Sequence, residues 1–163
     1  MFMMPRSHSL AYRLREVLLD GRWIANTNYQ DQLGQISWKQ AVQQVGSLNT
    51  IASLIFHVNY YLAGILEVFR GGDLTIRDKY SFDLPPITSV SDWDLLKQEF
   101  LENSENFVEA LEAIPDSQLD QPFVAEEYGS YLRNIEGIIE HSYYHLGQIS
   151  LIRKMLIFEH DND

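Results

Sequence analysis

The sequence has no cysteine. That excludes disulfides, thiolate metal ligands and a nucleophilic thiol, and it fits a reducing compartment. Positive charge is also scarce: 12 Lys and Arg stand against 23 Asp and Glu, a formal net charge of −11. Nucleic-acid binding calls for a basic surface that neutralises phosphates, and no run of Lys or Arg occurs here. DNA, RNA and anionic membrane surfaces are therefore not expected as partners. No apolar run reads as reaching transmembrane length. The N-terminal MFMMPRSHSL lacks the long apolar core of a secretory signal. Repeats, low-complexity tracts and linkers are missing too. Taken together, these absences lead to the expectation of a soluble cytoplasmic protein.

What is present is the composition of an ordinary globular chain. At 163 residues, 45% hydrophobic and 21% charged, it is long enough for one domain, residues 1–163, with a buried core. Helical periodicity dominates. In SLAYRLREVLLD, Leu10, Leu14, Val17 and Leu18 recur at spacings of three and four, and Gly21 stops the helix. A polar stretch through Trp23, Asn26 and Asn28 precedes a short helical piece from Trp38 to Val45. Asn49 is placed to cap the long segment TIASLIFHVNYYLAGILEVFR, which ends at Arg70 with Gly71-Gly72 beyond it. An irregular connection, Asp73 to Val90, contains Pro85-Pro86, which forbid regular helix. Ser91 is then read as the cap of a third long helix, with Asp92 and Asp94 in its first turn and Pro115 closing it. After a short acidic loop, Tyr131 to Phe158 forms the last helix. Strand-like fragments are confined to Leu74–Ile76 and Phe123-Val124. The fold class expected is all-α: an up-and-down four-helix bundle with a long loop between its second and third helices.

Chemistry concentrates in the histidines. His8 and His160 fall in polar terminal segments and read as solvated. His57 lies in LIFHVNY, and His141 and His145 in EHSYYHLGQI, all within apolar helices. Residues four apart on a helix share a face, so the two imidazoles of the pair can converge on one ion at ~2.0–2.1 Å. His57, on a helix that must pack somewhere against the last one, would complete a three-histidine set. An i,i+4 pair arises by chance in roughly one chain in seven of this histidine content. Core histidines hydrogen-bonded to their neighbours remain the other reading of the same residues. Gly137, one turn before His141, and Gly64, two turns after His57, imply that something approaches both helices closely. Packing is the simpler reason for each. Glu140, Asn59, Tyr60, Tyr61, Tyr143, Tyr144 and Gln148 are the polar neighbours available to orient an imidazole or face a substrate.

Three segments carry a family resemblance. GSLNTIASLIFHVNYYLAGILEVFRGG, then IRDKYSFDLPPI with DW following, then YGSYLRNIEGIIEHSYYHLGQISLIRK, span most of the chain from Trp23 to Lys154. In order and spacing this resembles the DinB-like, or YfiT-like, superfamily of metal-dependent four-helix-bundle proteins, and especially one small subgroup of it. The resemblance implies a divalent metal, zinc or nickel, held by His57, His141 and His145, and a homodimer. Characterised members include transferases and isomerases that use small thiols such as bacillithiol or mycothiol. An ion with an open position would lower the pKa of a thiol or water bound there.

Two functions follow as expectations. One is a metal-dependent enzyme acting on a small molecule, an S-transferase or a hydrolase, with the Asp73–Val90 connection placed as a lid. The alternative is a non-catalytic metal- or ligand-binding bundle of the stress response. A structural dimer with core histidines is the third possibility. The sequence identifies no general base: Glu140 sits next to a ligand but points about 100° away around the helix.

Overall fold

The computed structural model describes residues 4–160, with side chains to Ile157. Among these residues there are seven α-helices: α1 Arg6–Arg15, α2 Tyr29–Leu33, α3 Trp38–Val42, α4 Ile51–Phe69, α5 Val90–Ala113, α6 Asp116–Leu119 and α7 Tyr131–His160. Among the described residues there is no β-strand: neither strand-like fragment forms one, and a single isolated bridge joins Pro122 to Ser130. The fold is all-helical, as the periodicity predicts.

The four long helices touch in a ring, α1 with α5, α5 with α4, α4 with α7 and α7 with α1. Leu10, Leu14, Val17 and Leu18 of the first helical segment are all buried, as are Phe100, Phe107 and Leu111 of α5 and Ile135, Ile149 and Leu156 of α7. Burying a side chain of this size stabilises by ~1.5–3 kcal/mol, and the ring supplies dozens of such contacts.

Several boundaries differ from the sequence reading, for local reasons. The first helix begins at Arg6 because Asp116 accepts from the backbone N–H groups of Arg6 and Ser7 at 2.8 and 3.0 Å. That cap comes from 110 residues away, where no local rule sees it. The helix continues through a π-helical turn, Glu16–Asp20, and stops at Gly21. A Cβ there would collide with Glu16.

Thr50, not Asn49, caps α4, its hydroxyl accepting from Ser53 N–H at 3.1 Å. At the other end Gly71 adopts φ +88°, so that Gly72 N–H reaches Glu67 C=O at 2.9 Å and closes the helix. Ser89, not Ser91, caps α5, accepting from Asp92 N–H at 3.1 Å. Helix α2 fills part of what reads as a polar stretch, and α6 part of the acidic loop.

The expectation about apolar runs also needs correction. Ile51–Phe69 is long and apolar enough to cross a membrane by length and composition, but 67% of that stretch is buried inside the protein. It is the core helix, contacting both α5 and α7, and its hydropathy reflects that position.

Candidate metal centre

Helices α4 and α7 bring the three apolar-helix histidines together. His57 Nε2 stands 3.1 Å from His141 Nε2, and His145 Nε2 stands 3.0 Å from the same atom. One ligating nitrogen from each ring lies within 4.8 Å of the others. His57 and His145 are buried and His141 partly so. His8 is exposed, and the reading of His160 falls outside the described side chains.

Two of the rings are oriented from behind. His57 Nδ1 faces the backbone carbonyl of Ser81 at 3.3 Å, and His145 Nδ1 faces Gln148 Oε1 at 2.7 Å. Both partners are acceptors, so each Nδ1 carries the proton and each Nε2 turns a bare lone pair toward His141. The helix α7 backbone is itself held at this level, because the buried Tyr29 hydroxyl donates to Ser142 C=O at 2.8 Å. The missed helix α2 is what places that tyrosine.

Burial keeps the imidazoles neutral. It lowers the pKa of all three, with the neighbouring His145 adding to the effect on His57. His141 falls furthest, to about 4, through burial first and then through His145 and His57. At neutral pH the cluster therefore offers lone pairs and not charges. Two bare Nε2 atoms flank a third nitrogen that can bring at most one proton to share between them. A divalent cation would instead receive all three lone pairs. Nitrogens bound to one ion at ~2.0–2.1 Å, at angles of roughly 90–110°, stand ~2.8–3.4 Å apart, and the separations of His141 Nε2 from His57 Nε2 and His145 Nε2 both fall in that range.

The connection between α4 and α5 is built into the site. Phe82 stacks on His57 with ring centres 4.1 Å apart and planes 10° from parallel. Tyr61 sets its ring edge-on to both His57 and His141, and its hydroxyl donates to Asp78 at 2.7 Å. Ser81, Phe82 and Asp78 are contributors that the sequence reading missed, because an irregular loop has no periodicity to reveal which residues turn inward.

Of the polar neighbours named from sequence, Gln148 and Tyr61 touch the histidines. Tyr144 does so edge-on but is 65% exposed. Tyr60 bonds with the backbone of Arg77, Tyr143 donates to Glu16, and Asn59 accepts from Asn103. Glu140 pairs with Arg133 on the surface at 3.1 Å. Gly64 is explained by packing, since the Ile76 side chain occupies the place of a Cβ.

Comparison with known proteins gives one result. No curated protein and no solved structure matches the chain, but the family profile of the DinB superfamily matches residues 27–149, a span that contains all three histidines and the loop that orients one of them. The chain belongs to the DinB superfamily.

Proposed function

We propose that the protein is a divalent-metal-binding member of its superfamily, with His57, His141 and His145 as the ligands, in an up-and-down bundle of α1, α4, α5 and α7. Its metal would be zinc or nickel, since three neutral imidazoles suit either. The observation that carries this reading is the convergence of three Nε2 atoms, two of them on rings whose Nδ1 faces an oxygen acceptor.

The ion would supply Lewis acidity, lowering the pKa of a small thiol or a water at an open position. The chain's own residues would orient the ligands through Ser81 and Gln148 and shield His57 from water with Phe82. Asp78 would hold the Tyr61 hydroxyl. We read the protein as a cytoplasmic metal-dependent enzyme, a transferase or hydrolase acting on a small molecule.

A non-catalytic metal- or ligand-binding role is the second reading. It is favoured by one observation: among the described residues, no carboxylate hydrogen-bonds to any of the three rings.

Metal analysis tests the common part. Untagged protein purified without chelators should carry about one divalent ion per chain, and His57→Ala, His141→Ala and His145→Ala should each lose it. Protein that arrives without stoichiometric metal and takes up none tightly from added zinc or nickel would sink the reading. Turnover of thiol substrates by the native protein, abolished in the same variants, separates the enzyme from the binder.

A further inference from the structure

Gly137 interrupts α7 one turn before His141, and it lacks the explanation that Gly64 has. A Cβ at Gly137 would meet Arg133 Nη1 at 4.0 Å and nothing nearer. A mid-helix glycine costs about 1 kcal/mol relative to alanine, yet no neighbouring helix presses on this one.

What lies over it is a guanidinium. Arg133, Gly137 and His141 fall at i, i+4 and i+8, on one stripe of α7. The Arg133 side chain runs along that stripe, across the bare glycine, to meet Glu140 at 3.1 Å. A cation is thereby laid along the stripe that leads to His141.

The stripe forms the floor of an open cavity of about 400 Å³ that ends on His141. Tyr61, Ile65, Tyr128 and Ile138 give it apolar and aromatic walls. Among its lining residues Arg133 alone carries a permanent charge, and none is acidic, in a protein whose net charge is −11. The Asn134 amide is already spent on the carbonyls of Tyr128 and Ser130.

Arg133 and Glu140 are both 62% exposed, and an ion pair of that kind contributes roughly 0–1 kcal/mol. An incoming carboxylate can displace Glu140 at little cost and take the guanidinium in its planar, two-pronged geometry.

We propose that this trough binds a small organic acid, its apolar or aromatic body between Tyr61, Ile65, Tyr128 and Ile138, its carboxylate on Arg133 and its far end beside His141. Glu140 is the built-in competitor that occupies Arg133 when the trough is empty. The role of the acid as the substrate presented to the metal rests on the reading given above. Its binding does not.

The test compares acids with their uncharged amides: benzoate with benzamide, 3-phenylpropionate with its amide, and hexanoate with hexanamide. Calorimetry, with the side-chain Nε–H resonance of Arg133 as a local reporter, is run on metal-free and zinc-supplemented protein in parallel. At least one acid should bind about tenfold tighter than its amide in the metal-free protein, a difference of ~1.4 kcal/mol. Arg133→Gln should reduce that ratio to about one, with an unchanged melting curve confirming its fold. Glu140→Gln should tighten acid binding several-fold. Gly137→Leu, which fills the trough, should weaken acid and amide alike.

An acid preference that is missing from all three pairs, undetectable binding at millimolar concentrations, or a preference that survives in Arg133→Gln would each overturn the proposal. Acid binding in a protein that takes up no zinc would leave the trough standing and remove the metal centre. Zinc uptake without acid preference would do the reverse.

Discussion

Whether an imidazole can ligate depends on where its proton sits, and at this site that is settled by residues outside the cluster. Ser81 C=O and Gln148 Oε1 hold protons on the far nitrogens of His57 and His145. The backbone carbonyl cannot be mutated away, but the amide can. Gln148→Leu leaves the Nδ1–H of His145 without its acceptor, and losing such a support typically costs ~10–100-fold in metal affinity. Gln148→Glu places a carboxylate there, makes the ring more basic and should hold the metal at least as tightly as the native protein. Competition titration with a chelating dye reads the order Glu, then Gln, then Leu. If Gln148 were only a packing residue, Leu and Gln would bind metal alike. The pair His141 and His145 was legible from its spacing and His57 from its apolar setting. The proton-holding partners were less so: Gln148 stood among several polar neighbours, and Ser81 acts through its backbone, which no side-chain pattern reveals.

At the scale of the element, the long helices were readable because each repeats an apolar stripe over many turns. Leu96, Phe100, Phe107 and Leu111, at helical spacings along α5, are all buried. The short ones were not: α2 and α6 span five and four residues, too few for a period to emerge. Cap positions fail for another reason. The run TSVSDWD offers two serines, each followed three residues later by an aspartate, so both satisfy the local capping rule. In the structure Ser89 wins, because Asp92 reaches back to the N–H and hydroxyl of Thr88 at 2.9 and 3.0 Å, while Asp94 pairs with Lys97. The choice adds two residues, about half a turn, to the start of α5, after the loop that carries Phe82. Ser89→Ala should therefore lower stability by about 1 kcal/mol and Ser91→Ala by much less, a contrast that urea denaturation resolves. Equal effects would return the cap to Ser91.

For the whole molecule, the position of the histidines matters more than their number. His57 belongs to α4, in the first half of the chain, while His141 and His145 belong to α7 near its end. An ion held by all three would tie together two members of the helix ring that are joined in sequence only through the connection, α5 and α6. Binding of that kind acts on the folded state alone, since the unfolded chain does not hold the three rings together. The stabilisation follows mass action: a metal at one hundred times its dissociation constant adds ~2.7 kcal/mol. For a chain of this length each kcal/mol raises the melting temperature by roughly 2–4 °C, which predicts a rise of roughly 5–10 °C when zinc or nickel is added to metal-free protein. Each His→Ala variant should melt at the same temperature with and without metal. Magnesium, which prefers oxygen ligands, should not reproduce the shift in the native protein. A rise that persists in all three variants would mean that the ion binds elsewhere on a strongly acidic surface, and the cluster would then be a buried polar contact between α4 and α7.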